Sequence, residues 1–146
     1  MMTVPGITSE ELSLIKSYLL LQFIHRMFER DLKIMKDSGV FKTPELYMEV
    51  LEKGDLQTQM LLSEVKREFA SRRIRIYRIG QNDNGVEAEY VCRGYSGDMN
   101  IVWPAFRGEM MARMKAYLGL SSGSPSATSF AGDPHAQTPP VPESVW

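Results

Sequence analysis

The sequence predicts a single α+β domain in two layers: three N-terminal helices, a three-stranded antiparallel meander and a C-terminal helix, followed by a disordered tail. Apolar residues recur at helical spacing as far as residue 72, and the spacing then shortens to two, which is typical of strands. Helical spacing returns after Pro104, and the chain becomes rich in Ser and Pro from residue 120. With 146 residues in all, we expect one folded unit over residues 8–119 and a tail over residues 120–146.

The first predicted helix, residues 9–37, is apolar on two sides. Thr8 and Glu11 form a capping-box pattern at its start, and Ser38-Gly39 is a typical stop. One apolar stripe contains Leu14, Tyr18, Leu21, Phe28, Leu32 and Met35. The second contains Leu12, Ile15, Leu19, Phe23 and Met27. Because both sides must be buried, this helix is either the centre of the domain or a subunit contact, and we assign the second stripe to a homodimer.

Two further helices are predicted before the sheet. Thr43-Pro44 is a strong helix start, and this short helix runs to about Lys53. Gly54-Asp55 then indicates a break and a new cap, followed by a third helix over residues 56–72. Since one glycine costs a helix only about 1 kcal/mol, a single bent helix is the alternative.

The alternating residues 73–79 predict the first strand, and Asn-Gly at positions 84 and 85 predicts a tight turn. A four-residue loop places Arg78 opposite Glu89 and Tyr77 opposite Tyr90. The second strand covers residues 86–93, a turn covers 94–98, and a short third strand covers 99–103. Pro104 then opens the last helix, which runs to about residue 118.

Charge is distributed unevenly over the hairpin. Residues 61–79 contain six bases against two acids, whereas residues 83–98 contain four acids against one base. One interpretation is that the two strands neutralise each other. The other is a nucleic-acid surface, in which arginines bind phosphate and tyrosines stack on bases. The residues of that surface are Lys66, Arg67, Arg72, Arg73, Arg75 and Tyr77, with Tyr90 beside them.

The orientation of the first strand decides whether such a surface exists. We expect Ile74 and Ile76 to face the helices, because β-branched residues favour the buried face and unpaired arginines are costly to bury. Strict alternation then leaves the basic face sharing its side of the sheet with three apolar residues, which are Ile79, Ala88 and Cys92. The element order also has parts in common with winged-helix and double-stranded-RNA-binding domains, without their signature residues.

Residues that could carry chemistry are few. His25 lies among apolar residues, which favours a core role, and Cys92 lies within a strand, which favours an inert buried thiol. The Gly94–Asp98 segment lacks the final glycine of a nucleophile elbow, and no Cys/His pair has metal-binding spacing. We therefore expect no enzyme activity, no metal and no cofactor.

The sequence is best interpreted as a small non-enzymatic binding domain, acting as a regulator or adaptor through protein–protein interaction. The alternative is a nucleic-acid-binding regulator that uses residues 66–78. The net charge of −1 favours neither hypothesis. The first six residues lack the features of a secretory signal and no apolar run approaches 20 residues, so we expect a cytoplasmic protein with no membrane contact.

Overall fold

Three helices and one antiparallel sheet make up residues 6–120, the part of the chain that the computed structural model describes. Their order is α1 (Ser9–Ser38), α2 (Pro44–Arg72), β1 (Ile74–Gln81), β2 (Gly85–Cys92), β3 (Tyr95–Val102) and α3 (Trp103–Tyr117). The sheet has the order β1-β2-β3, so the predicted α+β class and the antiparallel meander are confirmed. The predicted tail, residues 120–146, lies outside the described residues except for Leu120.

The prediction of three N-terminal helices is wrong, because α2 continues through Gly54 without a break. Gly54 is buried, and a Cβ atom there would lie 2.7 Å from Leu118 Cδ2 and 3.2 Å from Phe28 Cζ. The glycine therefore allows close approach of α1 and the end of α3. Asp55, expected to be a helix cap, instead points inward and is only 6% exposed.

Helix α1 is the central element of the domain, which was one of the two predicted alternatives. Its capping box at Thr8 and Glu11 is present, and Gly39 ends it in the left-handed conformation at φ 67°. One core cluster joins α1 to β2 and α3, and its largest members are Phe23, Ile24, Phe28, Trp103, Phe106 and Met110. The other cluster joins α1 to α2 and the sheet through Ile15, Leu21, Leu62, Val65, Phe69, Ile74 and Tyr90.

A β-bulge at Tyr77 changes the predicted orientation of β1. Ile76 pairs with Tyr90 and Arg78 pairs with Glu89, so Tyr77 has no partner of its own. The register predicted for Arg78 is confirmed, whereas the one predicted for Tyr77 is wrong. One extra residue reverses the alternation, so Ile79 joins Ile76 on the helix-facing side rather than on the basic side.

The same correction applies to the rest of the helix-facing side of the sheet. Ala88 is 1% exposed and Cys92 is 0% exposed, because both lie in the core rather than beside the arginines. The outer side of β2 carries Glu87 and Glu89 instead. The helices thus cover one side of the sheet, and the other side is polar.

The second turn is shorter than predicted. Arg93 and Gly94 both have positive φ, at 49° and 89°, and they form a two-residue connection between Cys92 and Tyr95. Right-handed strand twist favours such turns, which need positive φ at both positions. Strand β3 consequently begins at Tyr95 rather than near residue 99.

Candidate interaction surfaces

A polar cluster fixes the start of α1 to the turn between β2 and β3. Glu11 is 3% exposed and receives hydrogen bonds from the Thr8 amide, at 3.1 Å, and from Arg93 Nη1. Arg93 also donates to the Gly6 carbonyl through Nη2. The Arg93 hydrogen bond and then the Thr8 amide lower the pKa of the Glu11 carboxyl from 4.5 to about 2. This cluster joins the start of α1 to the turn between β2 and β3 and stabilises that junction.

Arg72 was predicted to bind a macromolecule, and the structure places it in the same cluster. Its Nε lies 3.0 Å from Glu68 Oε1, and its Nη2 lies 3.2 Å from Glu10 Oε2. These hydrogen bonds, first from Glu68 and then from Glu10, raise the pKa of the guanidinium. Because two carboxylates occupy Arg72, it is poorly placed to bind phosphate.

The other predicted basic residues are exposed. Arg73 ends α2 in the left-handed conformation at φ 58°. Tyr77 is 56% exposed at the bulge. Within residues 6–120, no ion pair involves any of Lys66, Arg67, Arg73 or Arg75.

Acidic groups lie beside Tyr77 on the outer side of the sheet. Glu89 is directly opposite Asp98 on β3, and Glu89 also forms an ion pair with Arg78. An open hollow of about 490 Å³ is lined by Tyr77, Glu87, Glu89, Ser96 and Asp98, among others. Carboxylates at this position repel a phosphate backbone, so the sheet offers only part of the predicted nucleic-acid surface.

His25 and Asp55 form a half-buried pair of titratable groups between α1 and α2. His25 Nδ1 is 2.7 Å from Asp55 Oδ1, and Gln59 Nε2 donates to Asp55 Oδ2 at 2.9 Å. The second ring nitrogen of His25 is 3.3 Å from Glu29. Carboxylates thus approach both ring nitrogens, and the group joins the two helices. The core role expected for His25 is not what the structure shows, because its side chain is 25% exposed and pairs with Asp55 between two helices. No local pattern indicates this partner, which lies 30 residues later.

Cys92 is completely buried, with its sulfur 3.9 Å from the Arg72 carbonyl oxygen. Burial, followed by the charge of Glu11, raises the pKa of the thiol, which disfavours the reactive thiolate. Among residues 6–120, no group of three or more His, Cys, Asp or Glu side chains is arranged to hold a metal ion. None of the helices in this part of the chain is long and apolar enough to cross a membrane.

The stripe predicted to mediate self-association is largely covered by the chain itself. Ile15 and Leu19 are 0% exposed and Phe23 is 8% exposed, while Leu12 and Met27 are partly buried at its ends. The sheet, α2 and α3 therefore contact the side that was assigned to a second subunit. A dimer stays a prediction, but this stripe cannot form it without opening the core.

Apolar side chains remain exposed elsewhere, mainly at the far end of the α1–α2 hairpin. We define the hairpin tip as Ile34, Val40, Phe41 and Tyr47, which are 42–76% exposed. The rings of Phe41 and Tyr47 lie 5.6 Å apart. A second group, which we call the α2 outer stripe, consists of Leu46, Val50, Leu56 and Met60, each 47–62% exposed. The sequence did not indicate either group, since only the tertiary fold shows which apolar residues stay uncovered.

These features define the chain as a small α+β domain in which a long helical hairpin packs on one side of an antiparallel three-stranded sheet. The chain belongs to the YhjD protein family, whose model matches residues 6–122. No curated protein and no solved structure matches it significantly.

Proposed function

We propose that this protein is a non-enzymatic binding domain, a regulator or adaptor, that contacts a protein partner through the hairpin tip. The observation that carries the proposal is the exposure of apolar and aromatic side chains at a protruding end of the fold. Val40 is 76% exposed, Phe41 42% and Tyr47 50%. Contiguous apolar groups left in water are typical of interaction sites, and aromatic residues supply much of the binding energy in protein interfaces.

The groove next to the tip supports the same proposal. On α1 an open groove of about 510 Å³ is lined by Arg30, Lys33, Ile34, Asp37 and Ser38. Its exposed lining is mostly apolar carbon, although three of its five residues are charged. Protein interfaces likewise combine apolar contact area with polar groups.

The alternative, a nucleic-acid-binding regulator, is supported by the exposure of Lys66, Arg67, Arg73 and Arg75. It is weakened by the carboxylates that bind Arg72 and Arg78. If it holds, Arg73→Glu with Arg75→Glu abolishes a gel shift, and the affinity of the wild type falls steeply between about 50 and 200 mM salt.

The test compares three tagged proteins in affinity capture from the organism that produces the chain. They are the wild type, a tip variant with Val40→Ser and Phe41→Ser, and a control variant with Ile79→Ser and Val102→Ser. The control residues are 41% and 57% exposed, so both variants remove comparable exposed apolar groups.

We expect one protein partner to be retained by the wild type and the control and lost by the tip variant. Circular dichroism and melting curves should show that all three fold alike, because none of the four residues is in the core. An identical set of captured proteins for all three would refute the proposal.

A further inference from the structure

The α2 outer stripe lies on the side of α2 that faces away from the domain. At 100° per residue its four members span about 120° of the helix surface. The buried residues of the same helix, which include Thr58, Leu62 and Phe69, are centred about 150° away. Helix α2 therefore has a second row of apolar residues, interleaved with the exposed Glu49, Lys53 and Gln57, that the chain leaves uncovered.

The spacing of the stripe is symmetrical about Lys53. Leu46 and Met60 are each seven residues from Lys53, and Val50 and Leu56 are each three residues from it. We propose that two copies of this chain form a homodimer by pairing α2 antiparallel about a two-fold axis at Lys53. Leu46 of one copy then contacts Met60 of the other, and Val50 contacts Leu56 of the other. Such an interface uses the same patch on both copies, as two-fold symmetry requires.

Charge supports a second copy as the occupant. Lys42 and Glu64 are each eleven residues from Lys53, and both are exposed. The two-fold axis brings Lys42 of each copy to Glu64 of the other, which creates two ion pairs at the ends of the interface. Helix α2 rises about 30 Å from Pro44 to Glu64, and Lys42 lies outside it, just before its start, so the two residues cannot pair within one copy.

Lys53 itself lies on the axis and faces its counterpart. Its ammonium group is 3.9 Å from Glu49 Oε2 of the same helix, and its side chain is 76% exposed. The neighbouring carboxylate offsets part of the repulsion between the two lysines, while the methylene groups extend the apolar stripe. Because the stripe is short, the interface is near the lower end of the usual sizes, and we expect micromolar affinity.

This dimer goes beyond the proposed function and uses different residues. The first experiment measures the mass by sedimentation equilibrium from micromolar to several hundred micromolar protein. We expect the wild type to approach twice 16.6 kDa. A variant with Leu56→Glu and Met60→Glu should remain monomeric, and a control with Ile79→Glu and Val102→Glu should dimerise like the wild type. A wild type that is monomeric at the highest concentration overturns the proposal. A Leu56/Met60 variant that dimerises like the wild type also overturns it.

The second experiment is a charge exchange. It remains informative even if the variant with Leu56→Glu and Met60→Glu unfolds. Lys42→Glu and Glu64→Lys should each weaken the dimer, on the order of tenfold, because each turns two attractions into two repulsions. The double variant should recover the wild-type affinity. Since the two positions are far apart within one copy, recovery requires contact between copies, and its absence overturns the proposal.

The tip variant with Val40→Ser and Phe41→Ser separates this proposal from the proposed function. It should lose the protein partner but dimerise normally, because its residues lie outside the stripe. Conversely, Glu64→Lys, whose residue lies far along α2 from the hairpin tip, should keep the protein partner. A failed dimer with intact capture therefore removes only the further inference, and the reverse result removes only the proposed function.

Discussion

The two halves of the α1–α2 hairpin contrast in what covers them. In the half next to the sheet, α1 residues such as Ile15, Leu19 and Phe28 are completely buried. In the other half, residues 29–53, every residue is at least partly exposed. The His25–Asp55 pair lies at the boundary between the two.

This contrast shows that one helical pattern can serve two purposes in the same element. The near half is covered by the sheet and α3, so its apolar residues contribute to the stability of the fold. In the far half only Leu51 packs against a core cluster, so the exposed apolar residues there contribute little to stability and are free to contact other molecules. Changes in the two halves should therefore have opposite consequences for folding and for binding.

The largest expected difference is between two phenylalanines. Phe106 is 0% exposed and its ring is 4.9 Å from that of Phe23, so Phe106→Ala should cost about 3–5 kcal/mol of unfolding free energy. Phe41 is 42% exposed, and Phe41→Ala should cost less than about 1 kcal/mol. Urea unfolding of both variants checks the comparison. Similar losses would show that the far half is part of the same packed core.

A pH titration should sharpen the same comparison. The pKa of Glu11 is lowered to about 2, so its ionised form stabilises the folded protein above about pH 4.5. That stabilisation is lost as the pH falls from about 4.5 towards 2, where the carboxylate becomes protonated and releases Arg93. We expect Glu11→Gln to be less stable than the wild type at pH 7, and the difference to disappear near pH 2.

The matched control for this titration is Glu49→Gln in the far half. The Glu49 side chain is 69% exposed and lies 3.9 Å from Lys53. Exposed pairs of this kind contribute little to stability, so the control should follow the wild type at every pH. Melting curves between pH 2 and 7 measure both variants. If the stability difference between the wild type and Glu11→Gln does not change with pH, the role assigned to the Glu11 charge is contradicted.

The smallest expected effect concerns two helix glycines. Gly108 in α3 has open space where a Cβ atom would go, so Gly108→Ala should stabilise the protein by about 0.5–1 kcal/mol. At Gly54 an added Cβ atom would press on Leu118 and Phe28. The unfolding free energy of Gly54→Ala should therefore be lower than that of Gly108→Ala by at least about 1 kcal/mol. Equal stabilisation of both would mean that α3 does not rest on Gly54.

The parts of the fold that could be predicted depend on local chemistry. The Thr8–Glu11 capping box and the left-handed Gly39 are contacts within a few residues, so their pattern is visible in the sequence. The turn before Gly85 is equally local, since the Asn82 side chain accepts from the Asn84 and Gly85 amides. The helix break predicted at Gly54 was wrong, because glycine occurs both at helix breaks and at points where helices pack closely.

The candidate surfaces were less predictable, because exposure depends on distant parts of the chain. The stripe from Leu12 to Met27 indicated a subunit contact, yet α2, α3 and the sheet cover most of it. Four of the predicted basic residues are exposed, but Arg72 is bound by Glu10, which is 62 residues away. The sequence contains no signal for such pairs.

The sequence by itself determined the class of fold and the antiparallel meander, because hydrophobic period, caps and turn residues act over short distances. Only the tertiary structure decided which apolar side chains are core and which are surface. A helical stripe predicts that something must cover it, but burial is a relation between elements. The Tyr77 bulge turns Ile79 towards the helices, while the hairpin tip and the α2 outer stripe lie outside both core clusters and stay exposed to solvent.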